Sequence, residues 1–340
     1  MTTQPELAAM HRAIELSACG LGTTSPNPVV GAVILDRDGQ VVGEGFHERA
    51  GGPHAEVVAL ASAGPRARGG TAVVTLEPCR TTGRTPPCVQ ALRDAGVVRV
   101  RYAVADPTAA GGGGEELSAA GVDVVAGVLA EAAARVNESW LHAVRHGRPF
   151  VVWKSATTLD GRVAAADGSS RWITGPEARA DVHRLRSQLD AVVVGSGTAL
   201  LDDPQLTVRD GTGRAAGRQP LRVVLDRRGR VPVTARVRDD AAPSLVVHEP
   251  EPAAALAVLF DRGIRSVLLE GGPQLSAAFF AAGLVDKAIC YIAPALLGEG
   301  PAAVAPFGVG SIEAAKRFRI DDVELVGGDV KVTAYPAEEA

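Results

Sequence analysis

The chain has 340 residues, 46% of them hydrophobic, and a net charge of −4. That length suits two domains of roughly 150 residues, the apolar content argues against disorder, and the absence of a long basic run excludes nucleic acid as an expected partner. No stretch approaches the roughly 20 apolar residues that span a bilayer, and the start shows no basic segment followed by an apolar one, so the reading is a cytoplasmic protein with no membrane partner.

Residues 6–20 place Leu7, Met10, Ile14 and Leu16 at helical spacing, with Pro5 suited to a first turn. "SPNP" stops that helix and hands over to "VVGAVILD", a strand whose hairpin partner is "GQVVGEGFH" across an Asp38-Gly39 turn. "HAEVVALASAG" reads as a helix, "GTAVVTLEPC" as a strand ending at Pro78, "PPCVQALRDAG" as a helix and "VVRVRYAVADP" as a strand. "TAAGGGGEEL" reads as a mobile glycine-rich loop, and "LSAAGVDVVAG" as a short helix and strand. One helix is expected over 128–146, with a domain boundary at "RPF", giving domains of 1–147 and 148–340. The second series opens with the strand "FVVWKSATTLDG" and a helix in "TGPEARADVHRLRSQ" capped by Thr174. "AVVVGSG", "LRVVLD", "SLVVHE" and "SVLLEGG" follow as buried strands, "PQLSAAFFAAGLVD" as a helix, and "KAICYIAP" and "DVKVTAYP" as closing strands.

Cys19, Cys79, Cys88 and Cys290 are too scattered for a disulfide framework. His54, Cys79 and Cys88 instead offer one nitrogen and two sulfurs, a donor set for tetrahedral zinc with one open position. Cys88 would open a helix, where the macrodipole favours its thiolate. Zinc brings water toward ionisation at neutral pH, and Glu56 is placed to shuttle its proton to a leaving amine. Glu56 lies two residues from His54, nearly the opposite face of a regular helix; only at a helix end can both approach one metal. Two buried structural thiols are the bland alternative. The order His-x-Glu, Pro-Cys, Cys matches the signature of zinc nucleobase deaminases, although eight residues separate the cysteines where two are usual.

In the second half, strand ends in glycine at "GSGTALLDDP" and "EGGPQLSAAF" can meet phosphates through free N–H groups, or can be tight turns with close packing. Neither is a G-x-G-x-x-G fingerprint. Arg186 and Arg209 can hold a phosphate bidentately or sit solvated at the surface, and Trp172 can stack on a ring or fill core.

"SPNPVVGAVI", "GEGFHERAGGPHAEVVAL", "TLEPC…GRTPPC", "ADP" and "LLEGGPQL" resemble the bifunctional riboflavin-biosynthesis deaminase–reductases over nearly the whole chain. The resemblance implies a cytidine-deaminase-like α/β/α domain followed by a dihydrofolate-reductase-like α/β domain, with Zn2+ and NADPH as cofactors. It implies zinc ligation by His54, Cys79 and Cys88, proton transfer by Glu56, and a base contact by Asn27. Cofactor contacts fall on Ala156, Trp172, Thr198, Asp202, Gly272, Pro273, Gln274 and Leu275, and substrate contacts on Ser170, Arg186, Leu206, Arg209 and Glu270. Lys154 and Asp202 are our own candidates beside the hydride-transfer centre, and Arg227 is our candidate for the cofactor 2′-phosphate. Thr81 stands where the family commonly has histidine. The expected substrate is a pyrimidine nucleotide, 2,5-diamino-6-ribosylamino-4(3H)-pyrimidinone 5′-phosphate, deaminated and then reduced at its ribosyl group. A pathway paralogue acting on a related pyrimidine or purine, or a half-active protein, are the alternatives; product analysis and separate assays of the two activities distinguish them. Homo-oligomerisation is left open.

Overall fold

The computed structural model describes residues 2–82 and 86–337. It divides into two compact units, Met1–Gly147 and Arg148–Ala340. In the first, helix α1 (Gln4–Ala18) starts at a capping box: Thr3 Oγ1 accepts from the Glu6 N–H and the Glu6 carboxylate accepts from the Thr3 N–H. A cap of this kind stabilises a helix by about 1 kcal/mol. Strands β1 (Gly31–Leu35) and β2 (Val41–Phe46) form the expected antiparallel hairpin, turning where Asp36 Oδ1 accepts from the N–H groups of Asp38 and Gln40. There follow α2 (Ala55–Ala63), β3 (Thr71–Leu76), α3 (Cys88–Asp94), β4 (Arg99–Val104), α4 (Gly113–Ala119), β5 (Asp123–Val125), α5 (Ala130–Val136) and α6 (Glu138–His146).

The sheet order is β2-β1-β3-β4-β5, with β3, β4 and β5 parallel. Alternation along the strands sends Ala32, Ile34 and Val74 toward Ala59 and Leu92 on one face, and Val33, Leu35 and Val73 toward Met10 and Ala13 on the other. The result is an α/β/α sandwich. Helix α2 reaches β2 because of Gly45: a Cβ there would lie 2.6 Å from the Ala59 backbone nitrogen.

Two expectations for this unit are corrected. The glycine run is not a mobile loop, since its second half is the first turn of α4. A Cβ at Gly113 would lie 1.9 Å from the Pro78 carbonyl oxygen, so glycine there serves close approach. The helix expected over 128–146 is two helices, because Asn137 leaves helical geometry at ψ 15° and its buried Oδ1 accepts from the Val29 N–H at 3.2 Å.

The second unit holds β6 (Phe150–Thr158), α7 (Pro176–Gln188), β7 (Ala191–Gly195), α8 (Ser196–Asp202), β8 (Leu221–Leu225), β9 (Ser244–Val247), α9 (Pro252–Asp261), β10 (Ser266–Leu269), α10 (Pro273–Ala281), β11 (Lys287–Ala293), β12 (Phe318–Val326) and β13 (Asp329–Pro336). The sheet order is β12-β13-β11-β6-β10-β7-β8-β9, parallel from β11 to β9 and closed by two antiparallel strands. One face packs Val152, Val192, Val194 and Leu268 on Ala178, Val182 and Leu185 of α7; the other packs Val151, Val193, Val267 and Leu269 on Leu256 and Leu259 of α9 and Phe279 of α10. Burial on both faces explains the continuous apolar runs of these strands. Thr174 does not cap α7. The cap is Gly175, whose N–H donates to Asp329 Oδ2 at 2.6 Å, and Thr174 uses its carbonyl to accept from Arg179.

Candidate active sites

In the first unit, β3 ends before Glu77-Pro78-Cys79 and α3 begins at Cys88, so the two thiols arrive from a strand end and a helix start. His54 is the residue preceding α2, and Glu56 lies in its first turn. Helix periodicity therefore does not separate them. His54 Nδ1 is 3.1 Å from Cys88 Sγ and 3.5 Å from Cys79 Sγ, and the ligand atoms all lie within 4.8 Å of one another. Tetrahedral zinc with Zn–S bonds of about 2.3 Å and Zn–N bonds of about 2.0 Å needs donors roughly 3.5–3.8 Å apart. One nitrogen and two sulfurs at this spacing, with no carboxylate among them, fit zinc. The Cys88 N–H also donates to Cys79 Sγ at 3.3 Å. The Cys88 thiol and then His54 hold Cys79 down at about 4, while Cys79 pushes Cys88 upward. A cation bound here would displace protons from these ligands.

Glu56 is 3% exposed, and burial pushes its carboxyl above the usual range, with His54 opposing. The loop carrying Cys79 is fixed by Glu77. Its Oε1 accepts from the N–H groups of Gly112 and Gly114 at 3.1 and 3.0 Å, and its Oε2 from that of Asp106 at 3.2 Å. Asn27 is linked to this region through His47: its Nδ2 is 3.1 Å from His47 Nε2, and His47 Nδ1 is 2.8 Å from the Pro53 carbonyl oxygen. One tautomer satisfies both contacts, with Nδ1–H donating to Pro53 and Nε2 accepting from Asn27. His47 thus links Asn27 to the segment just before His54. Sequence reading passed over Glu77 and His47; the signal available was their place within the quoted motifs. Thr81 is exposed, and Gly83–Thr85 of the "GRTPPC" motif lie outside the described residues.

In the second unit a cavity of about 270 Å³ opens at the carboxyl ends of β6 and β10, where parallel α/β sheets place ligands. It is lined by Lys154, Ala156, Ser170, Trp172, Asp202 and Glu270, together with Gly272 and Pro273. Thr198 Oγ1 accepts from the Gly272 N–H at 3.1 Å, joining the α8 start to the glycine loop. Gln274 and Leu275 continue into α10, with the Leu275 side chain packed at Gly271. Trp172 is 70% exposed, which removes the core-filling reading; the Arg179 guanidinium lies 4.7 Å from its ring centroid. Loss of water pushes the Lys154 ammonium downward, with Glu270 opposing.

Arg186 pairs bidentately with Glu270, Nε to Oε1 at 2.7 Å and Nη2 to Oε2 at 3.0 Å. Burial of this pair makes loss of either partner costly. Arg209 donates to Gln205 Oε1, and the Leu206 side chain is buried in the core with a left-handed backbone at φ 56°. Arg186, Leu206 and Arg209 stand outside the cavity lining. Arg227, just past β8, is exposed and also lies off that lining, whereas Arg230 Nη2 donates to Ser196 Oγ at the α8 start at 2.8 Å.

A family model described as the cytidine and deoxycytidylate deaminase zinc-binding region matches residues 3–104, and one described as the RibD C-terminal domain matches residues 149–332. The chain is similar to riboflavin biosynthesis protein RibD of Mycobacterium tuberculosis strain H37Rv, 52% identical over 95% of each chain, and to that of Escherichia coli K12, 42% identical over 94% of this chain and 96% of the other. It superposes on RibD of Acinetobacter baumannii (form 1) with a TM-score of 0.91 at 40% identity, and on a diaminohydroxyphosphoribosylaminopyrimidine deaminase/5-amino-6-(5-phosphoribosylamino)uracil reductase of Thermotoga maritima with a TM-score of 0.91 at 35% identity; each match covers 98% of this chain and 99% of the other. Fold and site together define a zinc deaminase of the cytidine-deaminase type followed by an NADPH-dependent reductase of the dihydrofolate-reductase type. The chain belongs to the RibD family, the bifunctional deaminase–reductases of riboflavin biosynthesis. Its cofactors are Zn2+ and NADPH, and its substrate is a small pyrimidine. Nothing in these matches favours the pathway paralogue or the half-active protein. Among the described residues, no helix is long and apolar enough to cross a membrane.

Proposed function

We propose that residues 1–147 hydrolytically deaminate 2,5-diamino-6-ribosylamino-4(3H)-pyrimidinone 5′-phosphate and that residues 148–340 reduce the product's ribosyl group to ribityl, both in the cytoplasm. The observation that carries the reading is the convergence of His54, Cys79 and Cys88, with buried Glu56 on the adjoining helical turn. His54, Cys79 and Cys88 would hold the zinc, which when bound would activate the attacking water at neutral pH. Glu56 takes a proton from that water and returns it to the departing ammonia. Asn27, fixed by His47, contacts the base.

When bound in the second unit, NADPH would supply the hydride. Ala156, Trp172, Thr198, Asp202 and the Gly272–Leu275 segment seat the cofactor. Ser170, Leu206, Arg209 and the Arg186–Glu270 pair seat the substrate. Reduction also needs a proton at the sugar oxygen. Lys154 is the donor we assign, because desolvation eases release of its proton and it lines the same cavity as Asp202 and Glu270.

The 2′-phosphate contact remains with Arg227, at the carboxyl end of β8. Arg227→Glu is expected to raise KM for NADPH far more than for NADH in parallel assays. Equal responses to the two cofactors would remove Arg227 from the site and leave Arg230, bonded to the α8 start, as the next cation to change.

The allocation of activities is tested by expressing the halves apart. The clusters around Ile34 and Met10 draw only on residues below 148, and those around Val192 and Leu269 only on residues above it. Each half therefore closes its own core. Fragment 1–147 is expected to deaminate and fragment 148–340 to reduce deaminated substrate, per molecule showing cooperative unfolding. A folded but inactive fragment that regains turnover on mixing would overturn the allocation.

A further inference from the structure

His183 lies on α7 three residues before Arg186, and so shares a helix face with it. Its Nδ1 is 3.2 Å from the Arg209 backbone nitrogen and 3.1 Å from the Thr207 carbonyl oxygen. One ring nitrogen serves one of these at a time, accepting from the N–H or donating to the carbonyl. The Thr207 oxygen already accepts from Arg186 Nη1 at 3.0 Å. Among the described residues, the Arg209 N–H has no other acceptor. Accepting from Arg209 is therefore the role that leaves fewest groups unmet, and it requires an uncharged ring carrying its proton on Nε2. The surroundings favour that form: burial, then the charges of Arg186 on the same helix and Arg209 on the facing segment, push the ring downward, opposed by Glu270 at the end of β10.

The segment that His183 touches is under backbone strain, with Leu206 in the left-handed region. Such a conformation persists where neighbours over-determine it. Fully buried Arg222 does so from below, donating to the Gln205 carbonyl and to Asp239 Oδ1, while Gln205 Nε2 donates to Asp239 Oδ2. His183 does so from the side of Arg186.

We propose that His183 is a positioning residue for the reduction, fixing the Arg209 backbone relative to the Arg186–Glu270 pair so that the Arg209 guanidinium meets the substrate phosphate beside that pair. This rests on the reading of Arg186 and Arg209 as substrate contacts.

The test is steady-state reduction of the deaminated, phosphorylated substrate by the intact chain at saturating NADPH, with cooperative unfolding of the same preparation as the measure of folded enzyme. His183→Ala is expected to raise KM about tenfold, the scale of one lost hydrogen bond to a buried donor, with kcat little changed. His183→Asn should restore KM, because its side-chain oxygen can occupy the Nδ1 position and accept from Arg209. Should the alanine variant fold poorly, His183→Phe fills the volume without an acceptor and carries the same expectation. Arg209→Ala separates the two claims. If it raises KM while His183→Ala leaves KM unmoved, the positioning role is wrong and the substrate reading stands. If Arg209→Ala leaves KM unmoved, the substrate reading itself fails. Equal losses in the alanine and asparagine variants would also overturn the positioning role.

Discussion

Glu56→Gln is expected to keep zinc and fold while losing deamination by at least about 10²-fold, the usual cost of removing a general acid–base group. Glutamine matches glutamate in shape but cannot take a proton from water and give it to ammonia. Burial pushes the Glu56 carboxyl above its usual range, which brings accepting and returning a proton closer in energy near neutrality. Because the active form is the carboxylate, wild-type kcat/KM should rise with pH as that carboxyl ionises. That limb should disappear in the glutamine variant. Near-normal turnover of Glu56→Gln would reduce Glu56 to a packing residue of α2.

Cys88→Ser has a comparably large effect by a different route. Wild-type protein is expected to carry about one zinc per chain, since three ligands with one open position form a mononuclear catalytic site. Serine is a poor substitute for a thiolate, so metal analysis of the variant should show most zinc gone. Deamination should fall by more than the roughly 10–100-fold typical of losing an outer partner of a ligand. Reduction of pre-deaminated substrate should continue, because all three proposed ligands belong to the first unit. Full zinc retention would contradict the ligand set, and loss of both activities together would point to a folding defect instead.

Much of the fold was legible because its strands are unambiguous. "AVVVG" is apolar throughout and "SVLL" is apolar after its first residue, since helices cover both faces, and the β1–β2 turn is marked by Asp-Gly. Strand β12 was not legible: "FRIDDVELV" alternates poorly and is mostly exposed. The glycine run misled because composition alone cannot distinguish mobility from close approach, and here the neighbour is the carbonyl of Pro78. The break at Asn137 depends on Val29, distant in sequence, and the cap at Gly175 depends on Asp329. In the first site, the residue types announced a soft metal at once. The support around them, Glu77 and His47, depends on contacts of 29 and 20 residues' separation that no local pattern encodes. The same holds for His183, which in sequence is one polar residue on an ordinary amphipathic helix.

The central claim is two successive chemistries on one pyrimidine nucleotide, and mass spectrometry of the products tests it most directly. Intact enzyme given 2,5-diamino-6-ribosylamino-4(3H)-pyrimidinone 5′-phosphate without NADPH should exchange one amino group for a carbonyl oxygen and stop. With NADPH the same product should gain two hydrogens on the sugar while cofactor is consumed in equal amount. Substrate returned unchanged in the absence of NADPH, or NADPH consumed with the ribosyl group intact, would contradict the account.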